Sequence, residues 1–467
     1  HPRVRRQRQM CIRDRLTSFK CLQHWAPCYD FGIFSQMFNY MKETLQPLTT
    51  CERDGLLSHF AVHFSPIYYL LLPFFFIFPS PVTLLMGQAA IIASGLIPLY
   101  LICKRHKLSN AAVILFSLCY VLLPSMANGC FFFLHENKFL TPLILWLAFA
   151  LEKNKWIPSV IFTLLLLAVK EDAPVYAAVL GLYFIVSRRN ISKGALVFVL
   201  SIIYFITVSY FMSKYGLGTM SYRYDNFIYD GSGSLFTVIK AVILNPIYTV
   251  HEAFDEEKIK FILQMLAPLA FMPLMIKKPS RIILLIPFIL LNLMSDYTYQ
   301  HNINFQYTYG SAAFLFYLMI LNYQDMKPGF RCKVLAVATT SSIFMFMCNT
   351  YYRTSGYESY KTDKNSGAID IIDDALELVP DDSSVAATTF LVASLYDHRE
   401  VYEFESTKHR DKVEYIVLDL RISSDDFSVD DYLNNPIYET VENKPGYIAI
   451  FRNTTCLLYT SDAADEL

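Results

Sequence analysis

The sequence is short of charge: Asp, Glu, Lys and Arg make up only 17% of its 467 residues, against roughly 25% in an ordinary soluble protein. That shortage excludes a disordered chain and a coiled coil, both of which depend on charged residues. Phosphate-cradling glycine signatures are also missing. There is no G-x-x-x-x-G-K-[ST] and no G-x-G-x-x-G, so nothing supports ATP-driven work by this chain. Ten Cys occur without a single C-x-x-C, and no His-Glu-x-x-His is present, which removes the common zinc frameworks and a disulfide mini-scaffold. Neither sign of charge prevails, with 40 basic and 41 acidic residues. The basic residues do not pool into a nucleic-acid-binding face, and no nucleic-acid partner is expected.

What is abundant is apolar surface. Hydrophobic residues make up 54% of the chain and the mean hydropathy is +0.33. Apolar cores lie near residues 82–103, 108–126, 139–151, 157–169, 173–186, 195–212, 259–276, 282–294, 309–321 and 334–347. Several are shorter than the 20 or so residues that cross a bilayer, and many of the 21 Pro fall in or beside them. The fold expected is mainly α, a polytopic membrane bundle of about ten spans over residues 16–350. Pro66 and Pro73 interrupt the apolar stretch 64–78, which reads as interfacial or re-entrant. Basic groups around Lys104, Lys153, Arg188, Lys277 and Lys327 fall on every second loop, which makes that face cytoplasmic.

Loops 28–80, 127–138, 170–172, 213–258 and 295–308 then share the outer face. After Tyr352 the chain turns charged and acidic. A helical apolar face over 368–379 and short strands near 385–388, 401–404, 415–420 and 447–451 predict a small extracytoplasmic α/β domain over 351–455. Residues 1–15 and 456–467 resemble translated sequencing-adapter sequence and are set aside. On this reading an outward-going first span is missing in front of residue 16.

The unusual polar residues gather in the outer loops. Asp30 has apolar neighbours that favour a raised pKa, as a general base needs, although Asp is equally a helix cap. His59 and His63 are four apart, a spacing that on a helix shares a face and suits a metal or simply water. His135-Glu136 follows an apolar run. Lys170-Glu171-Asp172 is either a solvated hairpin tip or a site in which the carboxylates hold a divalent cation and the Lys a phosphate. Arg223 and Tyr224 open a Tyr-rich loop suited to a phosphate, a sugar face or merely the interface. The loop from Tyr297 to Tyr309 is nearly uncharged and suited to hydrogen bonding. Cys28 and Cys51 share one outer loop and are positioned in sequence to pair or to remain thiols.

The ordered set Asp30-Phe-Gly-Ile-Phe-Ser-Gln36, His63-Phe-Ser-Pro66, Phe133-Leu-His-Glu136, Lys170-Glu-Asp172, Arg223-Tyr224, Asn292-Leu-Met-Ser295 and Gln306-Tyr307 resembles a bacterial and archaeal family of predicted multi-pass membrane proteins. That family is grouped with type C (GT-C) glycosyltransferases. The resemblance implies a GT-C bundle with its site on the outer face, a polyprenyl-phosphate-linked sugar donor in the membrane, and an envelope glycan, lipid or protein acceptor. It implies Asp30 as the base, with Gln36, His63, His135, Glu136, Lys170, Glu171, Asp172, Arg223, Tyr224, Gln306 and Tyr307 as substrate-binding residues. The segment Met37-Phe-Asn39 departs from the family by lacking a Trp. A transporter or flippase for a lipid or anionic solute is the competing expectation, since short Pro-broken helices also suit transport.

Overall fold

In the computed structural model, residues 16–228, 235–350, 356–422 and 427–455 are described. The two adapter-like ends lie outside them. The chain divides into two compact units. The first holds Phe60–Tyr68 and Gln88–Arg353; the second holds the segment up to His59, Tyr69–Gly87 and the chain from Thr354 on.

The first unit is helical. The helices Pro81–Arg105, Asn110–Phe131, Ile191–Tyr215 and Pro328–Thr350 are long and apolar enough to cross a membrane. Shorter apolar helices accompany them, and proline sets their limits. Pro124 breaks the second of these helices after Leu122, and Pro174 starts another at its first turn. A ring nitrogen has no proton to give the preceding turn, so it is tolerated only at such starts. We label α1 Leu140–Glu152, α2 Trp156–Leu167, α3 Ala173–Val186, α4 Ile191–Tyr215 and α5 Tyr309–Asp325. The apolar core expected over 259–276 divides into the helix Glu256–Leu266 and two 3₁₀ turns, and that over 282–294 into 3₁₀ and π turns. Pro268, Pro273, Pro279 and Pro287 account for the breaks.

Helix α5 is buried on every side from Tyr309 to Tyr323, the mark of a helix at the centre of a bundle. Helices α3 and α4 cross with their backbones in contact. A Cβ at Gly181 would stand 2.7 Å from the Gly194 carbonyl oxygen, and one at Gly194 equally close to that of Gly181. Small residues at such a crossing let two helices pack by dispersion where lipid offers no hydrophobic drive. This crossing also fixes α3, whose N-terminus carries the Lys170-Glu171-Asp172 turn.

The second unit is built on a five-stranded sheet in the order β4-β3-β5-β7-β6, with β3 Ser384–Ala387, β4 Glu400–Glu403, β5 Tyr415–Asp419, β6 Tyr438–Lys444 and β7 Ile448–Asn453. The first three strands run parallel, and β7 is antiparallel to both β5 and β6. Strands β3, β5 and β7 are the hydrophobic runs anticipated from sequence. Edge strand β6 is polar and bulged between Thr440 and Glu442, which blunts it against stray pairing. The helix Ala368–Leu376 covers one face through Ile372 and Ala375.

This unit is larger than the expected 351–455. Residues 16–59, including the small hairpin of β1 Leu48–Thr49 and β2 Leu57–Ser58, join it. Thr50 Oγ1 donates to the Val401 carbonyl at 2.6 Å and accepts from the Val401 N–H at 3.0 Å, continuing the edge of β4. Cys28 is packed in the same core as Val385 and Val417, with Cys51 beside it; both are free thiols. The short helix Leu72–Ile77 leaves Phe74, Phe76 and Ile77 uncovered, as an interfacial segment would.

Replacing Gly181 by Leu should separate α3 from α4 at a cost of roughly 1–3 kcal/mol or more, read as a lower thermal unfolding midpoint in detergent. Gly329→Ala, at a position with open space around it, should leave that midpoint unchanged.

Candidate functional site

The turn Lys170-Glu171-Asp172 between α2 and α3 sends its three charges to different partners. Lys170 is 1% exposed, and its Nζ lies 2.8 Å from Oε1 of the fully buried Glu136. The other Glu136 oxygen accepts from the Tyr68 hydroxyl at 2.6 Å, and that hydroxyl accepts from the Glu136 N–H at 3.0 Å. His135 Nδ1 stands 3.0 Å from the same Glu136 oxygen. Burial opposes charge on Lys170, but Glu136 and then Glu171 outweigh it and raise its pKa. Burial holds His135 well below the ordinary imidazole value, so its ring is neutral.

Glu171 turns towards the 60–68 segment. Its Oε1 lies 2.8 Å from His63 Nδ1, and its Oε2 accepts from the Phe64 N–H at 3.2 Å. Burial raises the Glu171 pKa, and His63 and Lys170 more than reverse this, leaving it below the usual carboxylate range. Burial, aided by Lys170, lowers His63. The pair is therefore a neutral imidazole donating Nδ1–H to an ionised carboxylate, which can only accept. Asp172 has the opposite fate. Its Oδ1 is buried with no hydrogen-bond partner among the described residues, and burial lifts its pKa to about 6, with Glu171 adding to the rise and Lys170 and Arg223 opposing it.

Asp172 borders a cavity of about 310 Å³. Its lining is mostly apolar, including Val175, Phe205, Met220 and Leu290, with Glu171, Asp172, Arg223 and Gln300 among the polar residues that border it. Arg223 is 6% exposed and rides on the 3₁₀ turn Ser221–Phe227. Its carbonyl accepts from the Asp296 N–H at 2.8 Å and from Ser295 Oγ at 3.2 Å, so the backbone cannot drift. Its guanidinium lies 4.8 Å from the Tyr297 ring centre and 5.2 Å from that of Tyr307, a flat cation between aromatic faces. One Nη reaches Met220 Sδ at 2.9 Å, while Nε has no hydrogen-bond partner among the described residues. Tyr224 ties the cavity wall to the Leu290 carbonyl at 3.2 Å.

Tyr307 links the two halves of the cluster. Lys170 Nζ is 5.9 Å from its ring centre, and the His135 ring is 6.1 Å away. Asn292 holds it there, donating to the carbonyls of Gln300 at 2.6 Å and Tyr307 at 3.2 Å. Gln306 is buried, and its Oε1 has no partner among the described residues. His63, His135, Glu136, Lys170, Glu171, Asp172, Arg223, Tyr224, Gln306 and Tyr307 thus all belong to the first unit, and the contacts and cavity lining above join all of them except Gln306, which precedes Tyr307 in the chain. Three contributors escape sequence reading. Tyr68 sits in the stretch 64–78, which reads only as an interfacial or re-entrant segment. Lys138, two residues past the recognised motif, donates to Gln88 Oε1 at 2.6 Å and to the carbonyls of Phe132 and Phe133. Tyr297 is one Tyr among many. The signal available for Lys138 was a lysine four residues past Phe131-Phe-Phe-Leu134 and just before the apolar run from Phe139, where a buried charge demands acceptors.

Asp30 and Gln36 belong to the second unit. Asp30 stands at φ 59° and ψ −52° within a π turn, Cys28–Gly32. A non-glycine residue there is strained, and such strain persists only where its surroundings enforce it. Cys28, buried in the sheet's core, donates its N–H to Thr389 Oγ1 at 3.1 Å, and a Cβ at Gly32 would strike Val392 at 2.9 Å. The capping alternative is not what the chain adopts: the following helix, Ile33–Thr44, starts at Gly32 with no side-chain cap. The Gln36 amide is taken up locally, accepting from Thr49 Oγ1 and the Thr50 N–H at 2.8 Å each and donating to Thr50 Oγ1 at 2.9 Å. His59 and His63 do not share an α-helix; His59 lies in a 3₁₀ turn with Nδ1 2.8 Å from Glu52. Each Glu171 oxygen is engaged, by His63 and by the Phe64 N–H, and no group of three or more His, Cys, Asp or Glu able to hold a metal occurs among the described residues.

The whole chain has a counterpart among solved structures. A crystal structure of ArnT from Cupriavidus metallidurans bound to undecaprenyl phosphate matches with a TM-score of 0.52 at 12% identity, covering 95% of this chain and 97% of that one. The apo form of the same ArnT gives a TM-score of 0.47 at 12% identity, over 91% of this chain and 94% of that one. The architecture is therefore that of a GT-C protein, mainly helical with a small C-terminal sheet. No curated protein matches the sequence. The model of the family described as "Predicted membrane protein (DUF2079)" matches residues 25–455, nearly the full described length, and the chain belongs to that family.

Proposed function

We propose that this protein is a membrane glycosyltransferase that takes a sugar from a polyprenyl-phosphate donor and passes it to an acceptor on the outer face of the cytoplasmic membrane. The observation that carries the reading is the cavity beside α3, largely apolar in its lining and bordered by the buried Arg223. That combination suits a prenyl chain ending in phosphate: the walls take the isoprene units, and the guanidinium takes phosphate oxygens in its fork. The likeness in fold to an ArnT crystallised with undecaprenyl phosphate supports the same class of ligand.

In this reading Asp30 is the base. It removes the proton from an acceptor hydroxyl as that oxygen attacks the anomeric carbon, the bond from that carbon to the phosphate oxygen breaks, and polyprenyl phosphate leaves with inverted configuration at the sugar. Arg223 stabilises the charge that builds on the departing phosphate. Lys170, held charged by Glu136, raises the potential in the same cluster. His135 and Glu136 shape the floor on which sugar or acceptor rests. The strained backbone at Asp30 supports a functional role, since a structural aspartate gains nothing from that conformation.

Asp30→Asn should abolish transfer of radiolabelled sugar from polyprenyl-phosphate donor in proteoliposomes while the unfolding midpoint stays within about 1 °C of wild type, the small change usual for a surface substitution. Full activity in that variant removes Asp30 as the base, and movement of a solute without sugar transfer favours transport. Arg223→Gln should weaken polyprenyl-phosphate binding by about tenfold or more, the order of one charge-assisted contact. Asp172 supplies a pH test. With its pKa near 6, it is protonated and harmless to a phosphate below that pH and an unpaired like charge above it. Binding should therefore weaken as pH rises from 5 to 7.5, by about tenfold for a coupling of one pH unit, and Asp172→Asn should flatten that slope. Equal slopes in both proteins would assign the titration elsewhere.

A further inference from the structure

A second polar cavity lies at the opposite kind of chain position, among the basic loops of the first unit. It has a volume of about 470 Å³ and is lined by Arg105, His106, Glu152, Phe184, Arg189 and Gln324. Glu152 ends α1, and its side chain is 4% exposed. Arg105 Nε lies 3.1 Å from one of its oxygens; His106 Nε2 at 2.9 Å, the Tyr317 hydroxyl at 2.8 Å and Arg189 Nη1 at 3.4 Å approach the other. The Gln324 amide nitrogen donates to the His106 carbonyl at 2.8 Å, which fixes its oxygen as the acceptor facing His106 Nδ1 at 2.7 Å. Both nitrogens of His106 thus lie within hydrogen-bond reach of oxygen atoms.

One carboxylate therefore gathers two guanidinium groups and an imidazole. The imbalance extends along the loops: segments 104–109, 152–155 and 187–193 contain eight Lys or Arg and one acid, Glu152 itself. Arg105 and Arg189 keep about a third of their side-chain surface open, 37% and 31%. Glu152, a single negative charge, aims the two guanidinium groups without neutralising both, and Phe184 on α3 adds an apolar side chain to the lining. We propose that this cavity is a binding site for a phosphate-bearing anion at the basic end of the bundle, the headgroup of an anionic phospholipid in the adjoining leaflet being the ligand its position at the helix ends favours. The same chemistry would accept a soluble phosphate monoester.

The test uses the full chain in detergent micelles supplemented with phosphatidylglycerol, phosphatidylcholine or glycerol 3-phosphate, reading the unfolding midpoint and the lipid retained in native mass spectrometry. Phosphatidylglycerol should raise the midpoint by roughly 2–4 °C over phosphatidylcholine, with one lipid retained. Arg189→Gln and, separately, Arg105→Gln should lose at least half of that gain, and Lys327→Gln, an exposed basic residue outside the cavity, should keep it. An equal gain from glycerol 3-phosphate, lost in the same variants, upholds the site with a soluble ligand in place of a headgroup. No gain from any phosphate, or the same gain in all three variants, overturns the proposal. Neither result depends on whether the protein transfers sugar.

Discussion

Glu136 and Lys170 meet at 2.8 Å with essentially no water around either, and the first unit's polar cluster is arranged around that contact. Two charges moved out of water lose several kcal/mol each, which their attraction offsets only when geometry is good and the remaining lone pairs are served. Tyr68 serves one Glu136 oxygen, and His135 stands beside it. Loss of either partner would strand the other, at roughly 3–5 kcal/mol. The contact joins the 135–139 turn to the α2–α3 turn, and through Tyr307 it reaches the Arg223 turn. Chain segments far apart in sequence are thus held in one register by groups that would be costly to bury separately.

The same cluster shows how two neighbouring carboxylates are driven apart. Glu171 has a histidine and a backbone N–H; Asp172, the next residue, has a cavity and an unserved oxygen. One is held ionised and the other is pushed up to titrate near 6, although both belong to one turn. Burial acts on each; hydrogen bonding acts on only one. On the proposed reading, a site that admits and releases a phosphate benefits from an acid whose charge yields to the ligand's.

Much of this was legible in the chain. Apolar cores near 139–151, 173–186 and 309–321 became α1, α3 and α5, because a run of apolar residues in lipid has few alternatives to helix. Strands β3, β5 and β7 were legible because buried strands are continuous hydrophobic runs. Edge strand β6 was not, since its pairing rests on backbone hydrogen bonds and a polar face leaves no pattern. The 259–294 region misled because hydropathy is blind to where Pro268, Pro273, Pro279 and Pro287 interrupt the backbone ladder. The joining of residues 16–59 to the C-terminal sheet was hidden too: Thr50 and Cys28 contribute a few specific contacts and no periodicity. The clustering of the site residues followed from their ordered motifs, whereas Tyr68 and Lys138 emerge only when the acceptors and donors of Glu136 and the 132–133 carbonyls are counted.

Helix α5 has consequences for how the protein is made. It is enclosed on all sides and includes Ser311, Asn322 and several Tyr along its length. Such a helix has no lipid-facing stripe, and its polar groups find partners only in neighbouring helices: Asn322 in the carbonyls of Met272 and Pro273, Tyr317 in Glu152, Ser311 in Asn292. During synthesis it emerges after most of those neighbours. It therefore behaves less as an independent membrane insert than as the closing stave of a barrel already standing, and the order of genes' codons becomes the order of assembly.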